Sequence, residues 1–367
     1  FSRTGLLQGR LMPKHIIIEK PNIQLKRLED GTISFGFSSQ EQETLTKPDE
    51  DQTDMFARVL GYIAKPGKEA ANDSVIARLE GIEVRNARLL ISDDSLGMSW
   101  RPPDFNAEMV STNKGMKAHF SLPLPEVNGN ESGVFVNLFY FWDDKNTFIE
   151  THLKKLQMAK IAAQVPMLDP YKNQEMILDM QLKALLDKQF KPQSAQLEIW
   201  SEEGIIAYDD IFDLPISYKD LVIDMEYDSK TKNISVDHTK VTLNDDLTLS
   251  LKSDLSLDLE NTDNLLSGPV ELHIDSLEQE KIDPLWPKPL RGDNSELWIV
   301  KKMSEGTFYD MWGKTQIKIS KLPEGLDFDV QNVKAGFRFE NMSLNYKSPL
   351  DTVRMANGPG LSLIHNS

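Results

Sequence analysis

The sequence contains no cysteine in its 367 residues. Disulfide bridges, zinc–thiolate sites, iron–sulfur clusters and a cysteine nucleophile are therefore excluded for this chain. Histidine, another common metal ligand, occurs six times, and no two histidines have the spacing of a metal-binding pair. We therefore predict neither a metal site nor a cofactor.

The chain is also poor in positive charge. Lysine and arginine number 41 against 57 acidic residues, which gives a net charge of −16. A nucleic-acid-binding protein needs a concentrated basic surface that displaces counterions from phosphates, so this class of protein is not expected. The same negative charge disfavours broad adhesion to an anionic bilayer.

Long apolar runs are missing as well, since no segment reaches the roughly 18–20 residues that span a bilayer. The sequence starts at Phe1 without a methionine or a signal-peptide pattern, and it ends shortly after the apolar residues 361–364. We expect the chain to be part of a larger protein, with any targeting or anchoring segment outside it.

Sequence motifs of enzyme active sites are absent. The chain has neither the GxSxG motif of a nucleophile elbow nor the GxxxxGK motif of a phosphate-binding loop. Adjacent aspartates, such as Asp93 and Asp94 or Asp143 and Asp144, could act as acid–base pairs. However, neighbouring strand residues point to opposite faces, and such pairs more often mark turns. We therefore predict that the protein is not an enzyme.

The sequence is rich in apolar–polar alternation with a period of two. Between residues 241 and 259 the apolar residues fall on odd positions, which predicts strand structure with one apolar and one polar face. Asp245 and Ser253 interrupt the apolar set, and we expect turns or bulges there. Asn128 and Gly129 mark another turn. Shorter alternating segments recur at residues 16–18, 23–25, 33–37, 87–91, 134–141, 197–199, 222–225, 317–319 and 333–339.

Helical periodicity is confined to a few segments. Apolar residues at helical spacing predict helices over residues 54–64, 151–164 and 294–303. Residues 173–190 fit either a strand or a helix.

The predicted fold class is mainly β: an elongated, curved antiparallel sheet with a few short α-helices, whose apolar face forms a trough-like hydrophobic groove. We expect three segments that form one continuous unit. Residues 1–145 contain strands and one helix, residues 146–280 contain a middle helix and strands, and residues 281–367 contain a short helix followed by strands.

An apolar sheet face with so few helices to cover it has two explanations. Either two sheets close on each other as a sandwich core, or the face lines an open groove for lipid chains. An acyl chain of roughly 16 carbons needs an apolar track worth on the order of 10 kcal/mol to leave a bilayer, which a continuous sheet face supplies. The residues that we expect to line such a groove are Val241, Leu243, Leu247, Leu249, Leu251, Leu255, Leu257, Leu259, Phe337 and Phe339.

Three segments resemble a known family. Residues 74–109 contain an apolar strand with N-A-R-L, an aspartate, a short turn and a tryptophan, a pattern similar to that of AsmA-like proteins of Gram-negative envelopes, the group that includes TamB and YhdP. Residues 282–310 resemble the WP…W…G signature of the YhdP branch, and residues 328–363 resemble the sheet segments that follow it. The matching positions of the second segment are Trp286, Pro287, Trp298 and Gly306.

This resemblance implies a trough-like sheet that spans the periplasm, is anchored to the inner membrane outside this chain, and moves phospholipids to the outer membrane. It implies no catalytic residues, and it gives the four motif positions a structural role. The expected partners are phospholipid acyl chains and other envelope proteins. The alternative function is a scaffolding β module of envelope assembly with a closed core.

Overall fold

The structure of the chain is a computed structural model. It describes residues 14–28, 33–38, 80–94, 98–102, 104–163, 172–207, 212–244, 246–258, 261–286, 288, 291–292, 296–322, 325–345 and 353–365. Within these ranges the fold is mainly β, as the alternation predicted. The predicted helix over residues 54–64, the groove candidate Leu259 and the motif residue Pro287 lie outside the described residues.

The chain divides into two compact units. Unit 1 comprises Phe1–Lys172 and Leu178–Gln193, and unit 2 comprises Asn173–Ile177 and Ser194–Ser367. The strands of unit 1 are β1 (His15–Glu19), β2 (Asn22–Arg27), β3 (Ile33–Ser38), β4 (Gly81–Asp93), β5 (Met98–Trp100), β6 (Phe105–Ser111), β7 (Gly115–Val127), β8 (Asn130–Phe141), β9 (Thr147–Gln157) and most of β10 (Glu175–Leu186).

Unit 2 contains most of β11 and all the strands that follow. They are β11 (Pro192–Ser201), β12 (Gly204–Ile206), β13 (Ile216–Asp228), β14 (Asn233–Leu243), β15 (Thr248–Leu257), β16 (Leu266–Glu278), β17 (Met303–Ser304), β18 (Thr307–Leu322), β19 (Gly325–Leu344) and β20 (Val353–His365). The helical elements are α1 (Met158–Ala162), α2 (Ile282–Leu285), the 3-10 turns Thr262–Asn264 and Gln279–Lys281, and a π-helix (Leu297–Lys302).

Strand β4 organises the N-terminal part of unit 1. One edge of β4 pairs in parallel with β1 and then with β2, and its other edge pairs antiparallel with β6 and β5. Because β2 also pairs antiparallel with β3, the prediction of an antiparallel sheet is wrong only for the pairings of β1 and β2 with β4. The chain bends between β1 and β2 at Lys20 (φ 53°) and within β4 at Asn86 (φ 51°), both in the left-handed region. The Asn86 amide donates to Asn106 Oδ1 at 2.8 Å, which satisfies the donor that the bulge removes from the ladder.

The rest of unit 1 is an antiparallel meander. β6, β7, β8 and β9 each pair with the next strand. The predicted turn between β7 and β8 is confirmed: Asn128 (φ 54°) and Gly129 (φ 75°) are both left-handed, as a two-residue hairpin turn requires. Because β8 and β9 are paired, the predicted segment boundary at residue 145 falls within one sheet.

Unit 2 is also an antiparallel meander. Along its length β11, β13, β14, β15, β16, β18, β19 and β20 follow one another as paired neighbours. β12 pairs with the first residues of β13, and β17 pairs with the last residues of β19. Most consecutive strands are thus neighbours in space and are joined by short connections, whereas a longer segment with helical elements separates β16 from β17.

The alternating run 241–259 forms the hairpin of β14 and β15. Asp245 itself lies outside the described residues, but the residues on either side of it close a turn, since the Leu243 amide donates to the Leu247 carbonyl at 2.8 Å. The expected turn or bulge at Ser253 is wrong. Ser253 lies inside β15, its hydroxyl donates to the Pro269 carbonyl at 2.7 Å, and the irregularity lies on the partner strand between Val236 and Thr239.

The predicted helix over residues 151–164 is largely wrong. Strand β9 continues to Gln157, and only Met158–Ala162 are helical. The apolar residues of this segment fit both the helical period and the strand period. Pairing with β8, in which Leu153 lies opposite Val134, selects the strand. The ambiguous residues 173–190 contain strand β10, and the helix expected over residues 294–303 is the short π-helix. No helix in the described part of the chain is long and apolar enough to cross a membrane.

The fully buried core of unit 1 lies around β4. Ile82, Val84 and Ala87 of β4 pack with Ile23 of β2, and all four are buried. Half-buried apolar side chains from β1, β6 and β7 surround this cluster. The apolar side of the sheet is therefore filled around Ile23, Ile82, Val84 and Ala87.

Candidate functional site

The apolar side of unit 2 consists of cross-strand rows, which we call the unit-2 face. Its members are direct neighbours across β14 to β19: Val241, Leu249, Ile274 and Met311 in one row, Leu251, Leu272, Gly313 and Ala335 in the next, and Leu257, Leu266 and Ile319 in a third. Most residues between them in sequence, such as Lys252, Glu271 and Lys314, are polar and lie on the other side, where Trp312 is an exception. The alternation thus produces one apolar and one charged surface on the same sheet.

The middle of the unit-2 face is only partly covered. Leu272 is 38% exposed, and Leu249, Leu251 and Leu257 are half-buried. A Cβ atom added at Gly313 would meet no atom within 4 Å. The described residues therefore leave apolar surface and open space at the centre of this face.

Three of the predicted groove residues are buried instead. Leu243 and Leu247 close the turn between β14 and β15, and both are buried. Leu255 is 8% exposed and lies opposite Ile234 of β14. These leucines contribute to the core of unit 2, whereas the half-buried predicted residues, including Val241, lie on the open part of the face.

Phe337 and Phe339 do not lie on an open surface either. Both are buried, and the ring of Phe337 packs edge-on against that of the fully buried Phe308, with 4.9 Å between the ring centroids. Met342 of the same strand is also buried. The predicted role of the two phenylalanines in lining a groove is therefore corrected to a role in a filled cluster.

A helical segment adjoins this filled end of the unit-2 face. Residues 279–302, which we call the helical strap, connect β16 to β17 and contain α2 and the π-helix. Ile282 and Ile299 of the strap are buried. Gln279 Nε2 donates to the carbonyl of Met303 at 2.7 Å, which ties the beginning of the strap to its end.

Arg291 holds the strap to the loop before β13. Its Nη1 donates to Asp283 Oδ1 at 2.8 Å and to Glu296 Oε1 at 3.2 Å, and its Nε lies 3.0 Å from Asp213 Oδ2. The hydrogen bond from Arg291 lowers the pKa of the Asp283 carboxyl. The backbone amide of Gly292, which donates to Glu296 Oε2 at 2.5 Å, lowers the pKa of the Glu296 carboxyl.

Replacing Arg291 by Ala is expected to loosen the strap. Amides of the π-helix should then exchange with deuterium faster, because Asp283, Glu296 and Asp213 lose a shared cation. In the unchanged chain the pKa values of Asp283 and Glu296 are lowered, so the ionised carboxylates stabilise the strap at any pH above their ordinary pKa of about 4. This stabilisation is lost as the pH falls through the lowered pKa values.

The protection of the strap amides, measured relative to the intrinsic exchange rate at each pH, should therefore fall at acid pH in the unchanged chain and depend less on pH in the variant. Arg338→Ala is the matched control, because Arg338 makes one exposed ion pair with Asp310 at 3.2 Å. Identical exchange in Arg291→Ala and Arg338→Ala would contradict the assignment.

The motif residues Trp286 and Trp298 lie in the helical strap, and Gly306 lies in the turn that follows it. Trp298 stacks under the ammonium of Lys302, which lies 4.2 Å from the ring centroid. Trp286 directly follows α2 and is half-buried. Gly306 is left-handed (φ 73°), and a Cβ there would come within 2.4 Å of the Glu340 carbonyl, so the turn into β18 requires glycine.

Unit 1 carries a second apolar surface, which we call the unit-1 face. Its members are cross-strand neighbours on β6 to β9: Met109, Ala118, Leu138 and Ile149 in one row, Ala107, Phe120, Val136 and Thr151 in the next, and Leu122, Val134 and Leu153 in a third. Most are half-buried. Sequence reasoning did not name these residues as a site, although the alternation in β8 was recognised.

A buried polar pair lies at one end of β13. The hydroxyls of Ser201 and Tyr218 are 2.7 Å apart, and Tyr218 is 1% exposed. Burial raises the pKa of the Tyr218 phenol. A Cβ at Gly204 would lie 2.6 Å from the Tyr218 hydroxyl, so glycine makes room for this ring.

Replacing Tyr218 by Phe is expected to lower the free energy of unfolding by about 1–2 kcal/mol, because the Ser201 hydroxyl remains buried without its partner. Chemical denaturation measures the effect. Tyr227→Phe, at a half-buried position of the same strand, is the control and should change stability by less than about 0.5 kcal/mol. Equal stability of the two variants would contradict the importance of the pair.

The described residues offer little for catalysis. No group of three or more histidine, aspartate or glutamate side chains among them could hold a metal ion. Asp93 ends β4, and Asp144 accepts the Asn146 amide at 2.9 Å within a turn, as expected for adjacent aspartates. What remains distinctive is the pair of half-covered apolar faces.

Comparison of the chain with family models, curated proteins and solved structures gave no match. The interpretation of function therefore depends on the two apolar faces and on the resemblance of the sequence motifs.

Proposed function

We propose that this chain is a non-enzymatic conduit for phospholipids between the inner and outer membranes of a bacterial envelope. The observation that carries the proposal is the half-covered centre of the unit-2 face, where Leu272 is 38% exposed beside the open space at Gly313. An exposed apolar surface of this kind is unfavourable in water unless an apolar partner covers it. Acyl chains meet that requirement without specific polar partners.

The energetics favour a sheet face over a small pocket. Each methylene group that leaves a bilayer for water costs about 0.8 kcal/mol, so a long acyl chain needs many apolar contacts in succession. The unit-2 face and the unit-1 face each have one row of apolar side chains that crosses four strands, with shorter or interrupted rows beside it. In the proposed mechanism the tails lie along these rows and the head groups stay in water, while the acidic and basic residues of the opposite side keep the sheet soluble.

With the sequence motifs, the proposal also includes a protein family and a cellular location. We assign the chain to the AsmA-like proteins, closest to the YhdP branch, whose apolar faces line a trough-like groove. The full-length protein would then lie in the periplasm and be anchored to the inner membrane. The motif includes Trp298 and Trp286 in the strap and Gly306 in the turn after it, which agrees with a structural role for the motif.

The second candidate function is a scaffolding module of envelope assembly. The filled clusters favour it: Ile82, Val84 and Ala87 in unit 1, and Phe308 and Met342 in unit 2, are buried as in an ordinary protein core. If the whole apolar side were filled in this way, the sheets would be a rigid support with no cargo.

Native mass spectrometry with lipid extraction, on protein purified without detergent, tests the proposal. We expect co-purifying phospholipid, and uptake of phospholipid from vesicles after the protein has been stripped of lipid. A protein that has the mass of the chain alone and takes up no lipid from offered vesicles would contradict the conduit and favour the scaffold.

A further inference from the structure

A row of polar side chains crosses unit 1 on the side opposite the unit-1 face. Its members are direct neighbours across β4, β6, β7, β8 and β9, and we call them the polar track: Glu83, Glu108, His119, Asn137 and Glu150. They alternate in sequence with residues of the apolar side, so that Ala118 is buried whereas His119 is exposed. At a strand spacing of about 4.8 Å, the polar track is roughly 20 Å long.

The polar track is rich in hydrogen-bond acceptors. His119 Nδ1 lies 2.8 Å from Asn137 Oδ1, so the neutral imidazole donates from Nδ1 and leaves Nε2 as an acceptor. The exposed carboxylate of Glu108 makes no hydrogen bond or ion pair with another described residue. Glu150 Oε1 accepts a hydrogen bond from Gln181 Nε2 at 3.3 Å and keeps its other oxygen for a partner. A ligand of this row must therefore bring donors.

One end of the polar track opens into a cavity of about 300 Å³. The side chains of its lining that can form hydrogen bonds are Glu83, Arg85, Asn86, Asn106, Glu108 and His119. Arg85 donates to both carboxylate oxygens of Glu83, at 2.6 and 2.8 Å, which fixes the position of that carboxylate. The bulge at Asn86 interrupts the pairing of β4 with β6 at this place, and bulges often re-aim side chains beside binding sites. The volume is that of a small ligand site.

Aromatic side chains lie on both sides of the polar track. Phe139 of β8 is paired with Phe148 of β9 on one side, and Phe135 is paired with His152 on the other. Phe148 is 37% exposed. The ammonium of Lys154 lies 4.8 Å from the centroid of the Phe135 ring, so a face of this ring is turned toward solvent. Apolar ring faces thus accompany the hydrogen-bond acceptors along the track.

The charges on this side of unit 1 do not favour a charged partner of either sign. The carboxylates are those of Glu19, Glu83, Glu108, Glu131 and Glu150, and the cationic groups are those of Arg85, Lys117, Lys154 and Lys183. Lys154 pairs with Glu131 at 2.5 Å. Asp143 and Asp144 in the β8–β9 turn add negative charge beyond Phe148, which disfavours an anionic partner. The exposed Lys117 disfavours a cationic partner.

We propose that the polar track binds a glycan chain of neutral sugars. Sugar hydroxyls would donate to Glu108, His119 Nε2 and Glu150, which satisfies acceptors without adding a charge. The apolar faces of the sugar rings would pack on Phe148 and Phe135, and one sugar would enter the cavity beside Glu83. The length of the track fits a chain of several sugars. This site does not depend on the conduit, because it lies on the opposite side of the sheet from the unit-1 face.

Isothermal titration calorimetry of the full chain with cellohexaose, chitohexaose and maltohexaose tests the site. We expect at least one of these neutral hexasaccharides to bind. Glu108→Gln should weaken that binding about tenfold, because it removes a charged acceptor from the middle of the row. Phe148→Ala should weaken it several-fold through the loss of ring contact. Both positions are exposed, so chemical denaturation should show that both variants are folded.

Glu126→Gln and Phe190→Ala are the matched controls. Glu126 is an exposed glutamate near the end of β7, Phe190 is 66% exposed, and neither belongs to the polar track. Both variants should bind the sugar as the unchanged chain does. Absence of binding to all three hexasaccharides, or equal losses in the track and control variants, would overturn the proposal.

The phospholipid retained by the same proteins separates this site from the conduit. Glu108→Gln and Phe148→Ala should retain as much phospholipid as the unchanged chain, because their side chains lie on the other side of the sheet. Sugar binding without any retained phospholipid would contradict the conduit and leave the glycan site standing. Retained phospholipid without sugar binding would contradict the glycan site alone.

Discussion

Replacing Leu272 by Asp is expected to abolish lipid retention in a folded protein, whereas replacing Leu255 by Asp is expected to unfold unit 2. Both residues lie on the apolar side of neighbouring strands, β16 and β15. Leu272 is 38% exposed, so an aspartate there keeps its water and costs the fold little. It would also place a charge on the path proposed for the acyl chains.

Leu255 is 8% exposed and has no such access to water. An aspartate at this position loses the packing of leucine and buries a carboxylate without a partner, a combined cost of about 3–5 kcal/mol or more. Chemical denaturation measures the stability of both variants, and lipid extraction measures the phospholipid that they retain.

Leu249 and Leu257 are half-buried, so replacing both by Asp should give an intermediate result: lower stability than Leu272→Asp, with lipid retention lost. Full retention of lipid by a folded Leu272→Asp protein would show that acyl chains do not contact the centre of the unit-2 face. Unfolding of Leu272→Asp would show that this face is a closed core.

The sequence predicted the local fold well where alternation and turn chemistry agree. The run of leucines on odd positions gave the β14–β15 hairpin, and Asn128 and Gly129 gave the β7–β8 turn, because only a few residue types adopt its backbone. The prediction of a helix over residues 151–164 was wrong because Leu153 fits both the helical period and the strand period, and only its pairing with Val134 on β8 selects a strand.

Parallel pairing of β1 and β2 with β4 was not predictable in the same way. It joins residues far apart in sequence, such as His15 and Gly81, and no local pattern records such a contact. The bend at Asn86 left a weak signal, since asparagine tolerates left-handed backbone, but asparagine is also frequent in ordinary turns.

The sequence indicated only part of the candidate site, because periodicity carries less information than the site requires. Periodicity identifies the side of the sheet on which a residue lies, and Leu249, Leu251 and Leu257 share the apolar side of β15. It does not identify what covers that side. Phe337 and Phe339 alternate just as the leucines do, yet both pack into a filled cluster with Phe308.

Gly313 was not recognised from the sequence at all, although it marks the open centre of the unit-2 face. A single glycine in a strand more often indicates a bulge or a close approach of another chain segment. Here an added Cβ would meet no atom within 4 Å, so the glycine leaves unfilled space between Leu272 and Ala335. A Cβ atom therefore fits at this position without displacing its neighbours.

Replacing Gly313 by Trp is therefore expected to block lipid retention without destabilising the protein. The indole would cover the row formed by Leu251, Leu272 and Ala335, the surface proposed for acyl chains. Stability should stay equal or rise, because glycine is unfavourable within a strand and an aromatic residue is favourable there. We expect at least about a tenfold loss of retained phospholipid, since a long chain loses several methylene contacts.

Lys314→Trp is the matched control for this variant, because Lys314 is the next residue of β18, points to the polar side and pairs with Glu271 at 2.7 Å. It adds the same indole to the same strand and should leave lipid retention unchanged. Equal retention by the two variants, with both folded, would place the acyl chains away from the unit-2 face. Loss of retention in Gly313→Trp alone would locate them over its centre, because both variants add an indole to β18 and only the Gly313 variant places it on the apolar side.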